Sequence, residues 1–579
     1  MTDGAEPGTV VHRAGAAGPA APAAEADPIL TELVRHGLGS AARQMKQALV
    51  RTAFSPVIYE VLDFAVALYD PQVRLLAQAP SLPMFMGRLS FSVEAAVAAV
   101  GGVEALEPGD VLLYNHPYGT GSHPQDAAVI APAFDEDGLL GYAAIKAHWL
   151  DIGGKDPYST DTVDLWQEGT IFPGVKLCRR GVIDDDILRT AMANSRVPAA
   201  VAGDINAELV GVRTGLKALG ALVERFGRAR YEAAVERMFD HGEATIRARL
   251  RELPDGEYVG HGTLDSDGLV DEVIPFEIVV RIDGSDVTVD FSRAPAQRTG
   301  PINCTLPKTV AVARVAVGMI AGGDDSPNEG HQRPITVVTR PGTLFHPIAP
   351  APSFIGGWAS FQALETVQRA IGAALPAAVP ACSGGDICSL VWWGKHEDTG
   401  QAWAEGSPHP VGQGAHIGGD GASALMHASE SATRVTATEI WETRNPWVVE
   451  EVELIPDSGG AGRLRGGLGV SYKFRAREDQ WLTAVIERTK EPPWALEGGA
   501  PGTVNGASLR APDGTVRRFA KVTRLAVPRD AVVALRTGGG GGYGPPAERE
   551  AGAVHSDVRE GYVTDGAARR DYPHAFAQR

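Results

Sequence analysis

The amino-acid sequence predicts a multi-domain α+β protein with mixed sheets, a helical middle segment and a glycine-rich, β-rich C-terminal region. Its 579 residues are more than one hydrophobic core usually serves, so roughly two to four domains are expected. Residues 203–252 repeat apolar side chains at helical spacing. Residues 411–546 are instead dense in glycine and show little helical periodicity, which favours sheet with many tight turns.

The predicted elements begin after an Ala/Gly/Pro-rich stretch, residues 1–27, whose composition is typical of a disordered tail and lacks a signal-peptide pattern. Asp27 and Pro28 form an N-cap and a first helical residue, and apolar residues follow at helical spacing. "FAVALYD" and "VRLLAQA" predict two strands around a turn, and "SFSVEAAVAAVGG" predicts a short helix. Residues 110–180 alternate short apolar runs with Gly/Pro turns, which indicates a sheet with long loops.

The remaining regions follow from changes of pattern along the chain. Residues 28–255 are predicted to form a region that holds the candidate metal site and the helical segment, with a helix break near Gly227. A hairpin that turns at Asp283 and Gly284 lies near the start of a mixed α/β region, residues 256–410. A glycine-rich β region, residues 411–546, and a mostly polar C-terminal extension, residues 547–579, complete the predicted organisation.

The overall charge limits the class of partner. The chain has 53 Lys and Arg residues against 71 Asp and Glu residues, a formal net charge of -18, which argues against nucleic acid or an anionic membrane as a partner. No apolar stretch is long enough to predict a membrane span. These properties are typical of a soluble cytoplasmic protein. The cysteines are too few and too scattered for a disulfide framework or a zinc ribbon, which predicts reduced, packed thiols at Cys178, Cys304, Cys382 and Cys388.

Common catalytic motifs are absent from the sequence. No G-x-x-x-x-G-K-[ST] P-loop and no G-x-S-x-G serine elbow occurs. Gly539, Gly541 and Gly544 satisfy G-x-G-x-x-G, but five consecutive glycines meet that pattern by accident, and Pro545 and Pro546 follow them. A turn is therefore predicted there rather than a dinucleotide-binding loop.

Two H-x-x-D units carry the most specific chemical signal. His123 and Asp126 form the first, and His148 and Asp151 form the second, twenty-five residues further on. Each unit lies beside a predicted strand end, and imidazole with carboxylate suits zinc, manganese or iron. The alternative is that these histidines only make hydrogen bonds and that Asp151 shapes a turn.

The chain resembles the B subunits of the hydantoinase and oxoprolinase family, which includes caprolactamase β subunits and related subunits of acetone and acetophenone carboxylases. The resemblance runs from about residue 28 to the end, through "LDFAVALYD", "NHPYGTGSHPQD", "AHWLDIGGKDP", "WQEGTIFPGVKL", "PINCTL", "DSGGAGRLRGGLG" and "GGGGGYGPP". It implies that a divalent metal, zinc, manganese or iron, is bound by the matching residues: Asp63, His123, Asp126 and His148.

The resemblance also implies candidates for catalysis beside the metal. Asp151 and Glu168 are expected to orient a ligand or to act as a general base, although turn shaping and a surface carboxylate remain the alternatives. Two departures from the family pattern concern the site. His116 stands where the family usually has the aspartate of N-D-P-Y, and "SLPMFMG" replaces H-x-P-x-H-L-G. His116 is therefore a candidate ligand or substrate contact, or a solvent-facing loop residue.

The function implied by the resemblance is that of the metal-bearing B subunit of an ATP-dependent cyclic amide hydrolase. A hydantoinase A-like ATPase subunit would phosphorylate the carbonyl oxygen of the substrate, so that ATP is used by the partner. A hetero-oligomer with self-association is expected. The first alternative is a subunit of an acetone- or acetophenone-type carboxylase that acts on a ketone, and the second is a non-catalytic structural subunit.

Overall fold

The computed structural model describes residues 8–14, 27–322 and 326–577. Four sheets and a set of helices make up this part of the chain, which confirms the predicted multi-domain α+β class. The helices are α1 Pro28–Thr52, α2 Pro56–Tyr59, α3 Pro83–Met86, α4 Leu89–Ala99, α5 Pro117–Thr120, α6 Asp185–Ala193, α7 Pro198–Phe226, α8 Arg228–Leu250, α9 Leu306–Ala321, α10 Gly356–Gly372, α11 Thr438–Arg444, α12 Ala551–Arg559 and α13 Asp565–Asp571.

The strands are β1 Val10–Arg13, β2 Phe64–Tyr69, β3 Leu75–Gln78, β4 Val111–Tyr114, β5 Asp126–Asp135, β6 Gly138–His148, β7 Pro173–Arg179, β8 Val182–Ile183, β9 Gly256–Leu264, β10 Ile274–Asp283, β11 Asp286–Asp290, β12 Ile335–Thr339, β13 Ser389–Lys395, β14 Ala402–Ser407, β15 Trp447–Leu454, β16 Val470–Ala476, β17 Gln480–Val485, β18 Gly506–Arg510, β19 Val516–Phe519, β20 Val522–Val527 and β21 Val532–Arg536.

The first sheet is antiparallel, with the order β3-β2-β6-β5-β4-β7-β8. Its strands are apolar on both faces because helices cover both. Along β2, Phe64, Val66 and Leu68 pack in the core that includes α1 and α7. The alternate residues Ala65 and Tyr69 pack on the other side, in the core that includes α4. The two-sided burial makes this sheet a rigid support for the loops at its edges.

The second sheet has the order β1-β12-β11-β10-β9 and is mixed, since β11 and β12 run parallel. Its core is shared with α9 and α10. Val10–Arg13 form its edge strand by pairing with β12. The prediction of a disordered tail over residues 1–27 is therefore wrong for this segment, because backbone pairing with a distant strand orders it. The rest of that tail, residues 1–7 and 15–26, lies outside the described residues.

The other two sheets have the orders β14-β13-β17-β20 and β15-β16-β21-β18-β19, and both contribute to one core. The predicted division between residues 410 and 411 is wrong as a domain boundary, because β13 pairs with β17 across it. The predicted boundary at residue 255 falls between α8 and β9. The C-terminal extension is folded rather than loose: α12 and α13 form a small core of their own, and the hydroxyl of Tyr572 accepts a hydrogen bond from Gly462 N at 3.2 Å.

The five consecutive glycines, residues 538–542, run through a buried layer rather than forming the predicted turn. They exchange backbone hydrogen bonds with several separate segments, including Gly541 N to Cys382 O and Gly540 N to Gly467 O. A Cβ added at Gly540 would lie 2.0 Å from the carbonyl oxygen of Gln413. Only glycine allows such close backbone packing, so the tract is a structural element and not a nucleotide-binding loop.

All four cysteines are buried and free, as the sequence predicts. In the part of the chain that the structure describes, no helix combines the length and the apolar character needed to cross a membrane.

Candidate metal centre

A hairpin of the first sheet brings the two H-x-x-D units together. Asp126 is the first residue of β5 and His148 is the last residue of β6, and the antiparallel register sets them opposite each other. His123 lies in the tight turn before β5, where Asp126 N donates to His123 O at 3.1 Å. The twenty-five residues from His123 to His148 therefore correspond to the two antiparallel strands β5 and β6, which return the chain to its starting point.

Three donor atoms meet at this end of the hairpin. His148 Nδ1 lies 2.9 Å from Asp126 Oδ1, His123 Nε2 lies 3.3 Å from the same oxygen, and the two nitrogens are 3.1 Å apart. Bonds of about 2.0–2.2 Å to one cation place neighbouring ligand atoms roughly 3 Å apart. Among the described residues, this is the one group of at least three His, Cys, Asp or Glu side chains with metal-ligand spacing.

The surroundings hold the His123 ring in the orientation that a ligand needs. Its Nδ1 lies 3.1 Å from the carbonyl oxygen of Phe354, so an Nδ1–H donates there and the Nε2 lone pair faces the cluster. The Phe354 ring stacks on the imidazole with a centroid distance of 5.0 Å. Glu168 fixes this loop, since its Oε1 accepts the backbone N–H groups of Ser353 at 2.6 Å and Phe354 at 2.8 Å.

Asp63 lies beside the three donors without joining them. It lines the same cavity, and its backbone oxygen accepts His148 N at 3.1 Å. Its Oδ1 is buried and has no hydrogen-bond partner among the described residues, and burial raises the pKa of the carboxyl group to about 7. A buried carboxylate oxygen without a partner is costly unless a cation or a proton satisfies it. The donor set of two imidazoles and two carboxylates fits zinc, manganese or iron.

The ionisable groups of the cluster change one another's pKa values. Burial alone would raise the pKa of Asp126, but the neighbouring His123 and His148 hold it well below its usual value. Burial lowers the pKa of His123. Burial also acts to lower the pKa of His148, but the hydrogen bond to Asp126 and the charge of Asp63 outweigh it and raise that pKa. Asp126 is thus ionised at neutral pH and presents a full negative charge to a cation.

The cluster opens into a cavity of about 100 Å³, enough for several water molecules or a small substrate. One part of its wall is apolar and includes Val57, Val61, Met84, Phe85, Phe361, Ile387 and Val391. The departure "SLPMFMG" supplies two of these residues, Met84 and Phe85. The polar wall includes three ionisable residues that local sequence patterns did not indicate, Arg88, Lys308 and Glu430.

These three residues are buried, with Arg88 and Lys308 each 2% exposed and Glu430 8% exposed. Glu430 ends a short 3₁₀ turn, Ala428–Glu430, and burial followed by the charge of Asp63 raises its pKa well above the usual value. No local sequence pattern links Glu430 to the two H-x-x-D units. Lys308 lies four residues after Cys304, which belongs to the segment "PINCTL" that carries part of the family resemblance.

The remaining predicted residues do not line the cavity. Asp151 is buried, accepts Arg196 Nη1 at 2.6 Å and Gly153 N at 3.3 Å, and so supports the loop after β6. Glu168 acts on the site through the Phe354 loop. His116 caps α5 by accepting Tyr118 N at 3.3 Å.

The comparisons with known proteins agree with this architecture. The caprolactamase subunit beta of Pseudomonas jessenii is 29% identical over 94% of this chain and 96% of the relative. The crystal structure of the ATP-dependent caprolactamase from Pseudomonas jessenii superposes with a TM-score of 0.88 at 27% identity, over 95% of this chain and 96% of the other. The nucleotide-free acetone carboxylase structure has a TM-score of 0.85 over 95% of this chain and 80% of the other, and at 19% identity it shows a shared fold alone.

The model of the Hydantoinase B/oxoprolinase family matches residues 27–546. This span covers the hairpin with its three donors, all four sheets except the strand β1, and the buried glycine tract. The chain therefore belongs to the Hydantoinase B/oxoprolinase family.

Proposed function

We propose that this protein is the metal-bearing B subunit of an ATP-dependent cyclic amide hydrolase. The observation that carries the proposal is the convergence of His123, Asp126 and His148 on one point of a cavity wall. Support comes from likeness over nearly the whole chain to a protein named as a caprolactamase subunit beta.

The name of that relative implies a second subunit, and the present sequence has no P-loop. An A-type partner that spends ATP to phosphorylate the carbonyl oxygen of the substrate is consistent with both points. The resonance of an unstrained amide makes direct attack by water slow, and activation on the partner would remove that obstacle.

The residues of the cavity have distinct roles in this proposal. His123, Asp126 and His148 would hold a divalent metal, with Asp63 as a further ligand. When bound, such a metal supplies Lewis acidity, which makes water a nucleophile near neutral pH. Glu430 donates the proton that the leaving ring nitrogen takes up, because burial holds the pKa of this carboxyl well above its usual value and keeps it protonated near neutral pH.

The positions of Asp151 and Glu168 away from the cavity favour supporting roles for both. Glu168 would keep the Phe354 carbonyl in place for His123, and Asp151 would keep the loop after His148 in place. Water then adds to the phosphorylated carbonyl carbon, and the ring C–N bond breaks as the nitrogen takes up a proton, which leaves an acyl phosphate. A second water hydrolyses the acyl phosphate to the carboxylate and inorganic phosphate.

The test is co-expression with an A-type subunit, followed by ADP release against hydantoins, lactams, oxoproline, and ketones with bicarbonate. Ring opening coupled to ADP release is expected, and it should fall at least 100-fold in Asp126→Asn. The control is His36→Ala, because that ring is 70% exposed and far from the donors in the sequence. Carboxylation of a ketone without ring opening would replace this proposal with the carboxylase alternative, and full activity without metal would refute it.

A further inference from the structure

Lys308 is a buried cation that lacks a partner. Its side chain lines the cavity and the residue is only 2% exposed. No hydrogen bond or ion pair of Nζ to any residue within the described ranges is present. An ammonium that faces a cavity from an otherwise buried side chain loses much of its hydration, so its retention there without a partner needs a reason beyond packing.

The position of Lys308 in the fold adds to this cost. It is the third residue of α9, a helix of 16 residues, and the first turn of a helix carries partial positive charge that disfavours a cation. A Cβ on Gly357, in the first turn of α10, would lie 3.9 Å from Nζ, so a second helix N-terminus is close. Burial, followed by the nearby Arg88 guanidinium, lowers the pKa of Lys308 to about 8.

Arg88 brings a second positive group to the same wall. Its guanidinium donates to Gly121 O at 2.7 Å and to Ser122 Oγ at 3.3 Å, and the nearest carboxylate oxygen, Asp126 Oδ2, is 4.0 Å away. Asp126 is already shared between two histidines. The negative charge in the cavity therefore does not neutralise both cations at contact distance.

A single glycine permits this concentration of positive charge. Gly121 has a φ of +71°, and an added Cβ would lie 2.8 Å from Arg88 Cδ and 2.9 Å from Lys308 N. The chain thus passes between Arg88 and the start of α9 at a place where no other residue fits without a shift. This close packing places two positively charged side chains, Arg88 and Lys308, side by side, and their N–H groups suit an anion and not a cation.

We propose that Lys308, together with Arg88 and the N-terminal turns of α9 and α10, binds the phosphoryl group of the activated substrate. This inference rests on the proposed function, since a substrate phosphorylated on the partner would arrive with a tetrahedral oxyanion. Helix N-termini with fixed cations are suited to phosphate. The metal donors line the same cavity, and Asp126 Oδ2 is 4.0 Å from the Arg88 guanidinium, so the phosphoryl group would be held beside the metal centre.

The experiment measures binding of two probes, inorganic phosphate and phenyl phosphate, to the full chain by isothermal titration calorimetry. Both metal-loaded and chelator-treated protein are used, because phosphate also binds metals directly. Lys308→Met removes the charge with little change of volume, and Lys308→Arg keeps it. The matched control is Lys146→Met, because Lys146 is an equally buried lysine that donates to Thr120 O at 3.1 Å and does not line the cavity.

The expected result is a Kd for either probe that rises about tenfold or more in Lys308→Met, and less than about threefold in Lys308→Arg and Lys146→Met, with and without metal. Tighter binding of phenyl phosphate would assign the site to the substrate ester, and equal binding would assign it to the phosphoryl group alone. No measurable binding, binding that ignores Lys308, or an equal loss in both Met variants would overturn the inference.

The two proposals fail separately. Phosphate binding that depends on Lys308 in a complex that opens no cyclic amide would leave the anion site standing and remove the proposed function. Cyclic amide hydrolysis with unchanged kcat and KM in Lys308→Met would leave the proposed function standing and remove the anion site.

Discussion

Glu168 offers the sharpest test of how the site is held together. Its Oε1 accepts two backbone N–H groups, at 2.6 and 2.8 Å, and Thr162 Oγ1 at 3.3 Å. Replacement by alanine leaves the two buried amides without an acceptor, at about 1–3 kcal/mol each. We therefore expect Glu168→Ala to destabilise the loop that holds His123 by about 2–6 kcal/mol. In Glu168→Gln the side-chain carbonyl still accepts both amides, so the loss is smaller.

The pH dependence separates Glu168→Gln from the native protein. Burial raises the pKa of Glu168 to about 8, whereas a carboxyl in the unfolded chain titrates near about 4.3. Between those pH values the folded protein keeps a proton that the unfolded chain has released. The stabilisation that the protonated Glu168 gives the fold is fully present below the pKa of the unfolded chain. It decreases by about 1.4 kcal/mol per pH unit as the pH rises from there, and it is lost once the pH passes the pKa of the folded protein. Glutamine cannot ionise, so this dependence disappears in Glu168→Gln.

Hydrogen–deuterium exchange of the peptide that contains Ser353 and Phe354 measures this effect locally, after correction for the intrinsic pH dependence of exchange. The opening free energy of the native loop, relative to that of Glu168→Gln, should fall by about 4 kcal/mol between pH 5 and pH 8. Parallel curves for the two proteins would mean that Glu168 is already ionised in the fold, which would contradict this prediction. Equal exchange in Glu168→Ala and Glu168→Gln would show that the two amides do not depend on this residue.

Three further predictions concern the same region. His148→Ala should lose metal that copurifies with the chain, whereas His116→Ala should keep it, as measured by elemental analysis; equal metal in both would contradict the assigned donors. Asp151→Asn should weaken the ion pair to Arg196 and lower stability by about 1–3 kcal/mol, seen in denaturant unfolding with metal content unchanged. Gly121→Ala should lower the melting temperature by several degrees. The φ of Gly121 is +71° and two contacts are close, so an added methyl group would destabilise the fold by about 1–3 kcal/mol. An unchanged melting temperature would count against the tight approach of α9.

Local sequence patterns predicted the elements whose contacts are local. The Asp27 side chain accepts Ile29 N at 2.9 Å and caps α1, as the Asp-Pro pair indicated. The helix break near Gly227 separates α7 from α8, and Asp283 and Gly284 turn the β10–β11 hairpin. In each case the residues that decide the structure lie within a few positions of one another.

Pairing between strands that are far apart in the sequence was not predicted, because the residues that decide it are not close together along the chain. Val10 pairs with Thr339, and a short edge strand in an Ala/Gly/Pro-rich stretch has no periodicity that marks its partner. The pairing of β13 with β17 across residue 410 was missed in the same way. Strand pairing depends on backbone hydrogen bonds, which every residue except proline offers, so composition carries little information about it.

The candidate site shows the same division. His123, Asp126 and His148 belong to one hairpin, so their spacing and the family resemblance together marked them. Arg88, Lys308 and Glu430 reach the cavity from three distant segments, and only tertiary structure brings them together.

The buried glycine tract has a consequence for how the protein is made. Residues 538–542 bond to backbone near residues 382, 412, 467 and 500, and every one of these partners leaves the ribosome earlier. Until the tract emerges, those partners have amides and carbonyls that only water can satisfy. The backbone contacts of the glycine tract therefore form only after residue 538 has left the ribosome, and a nascent chain stopped before that residue should remain a substrate for chaperones.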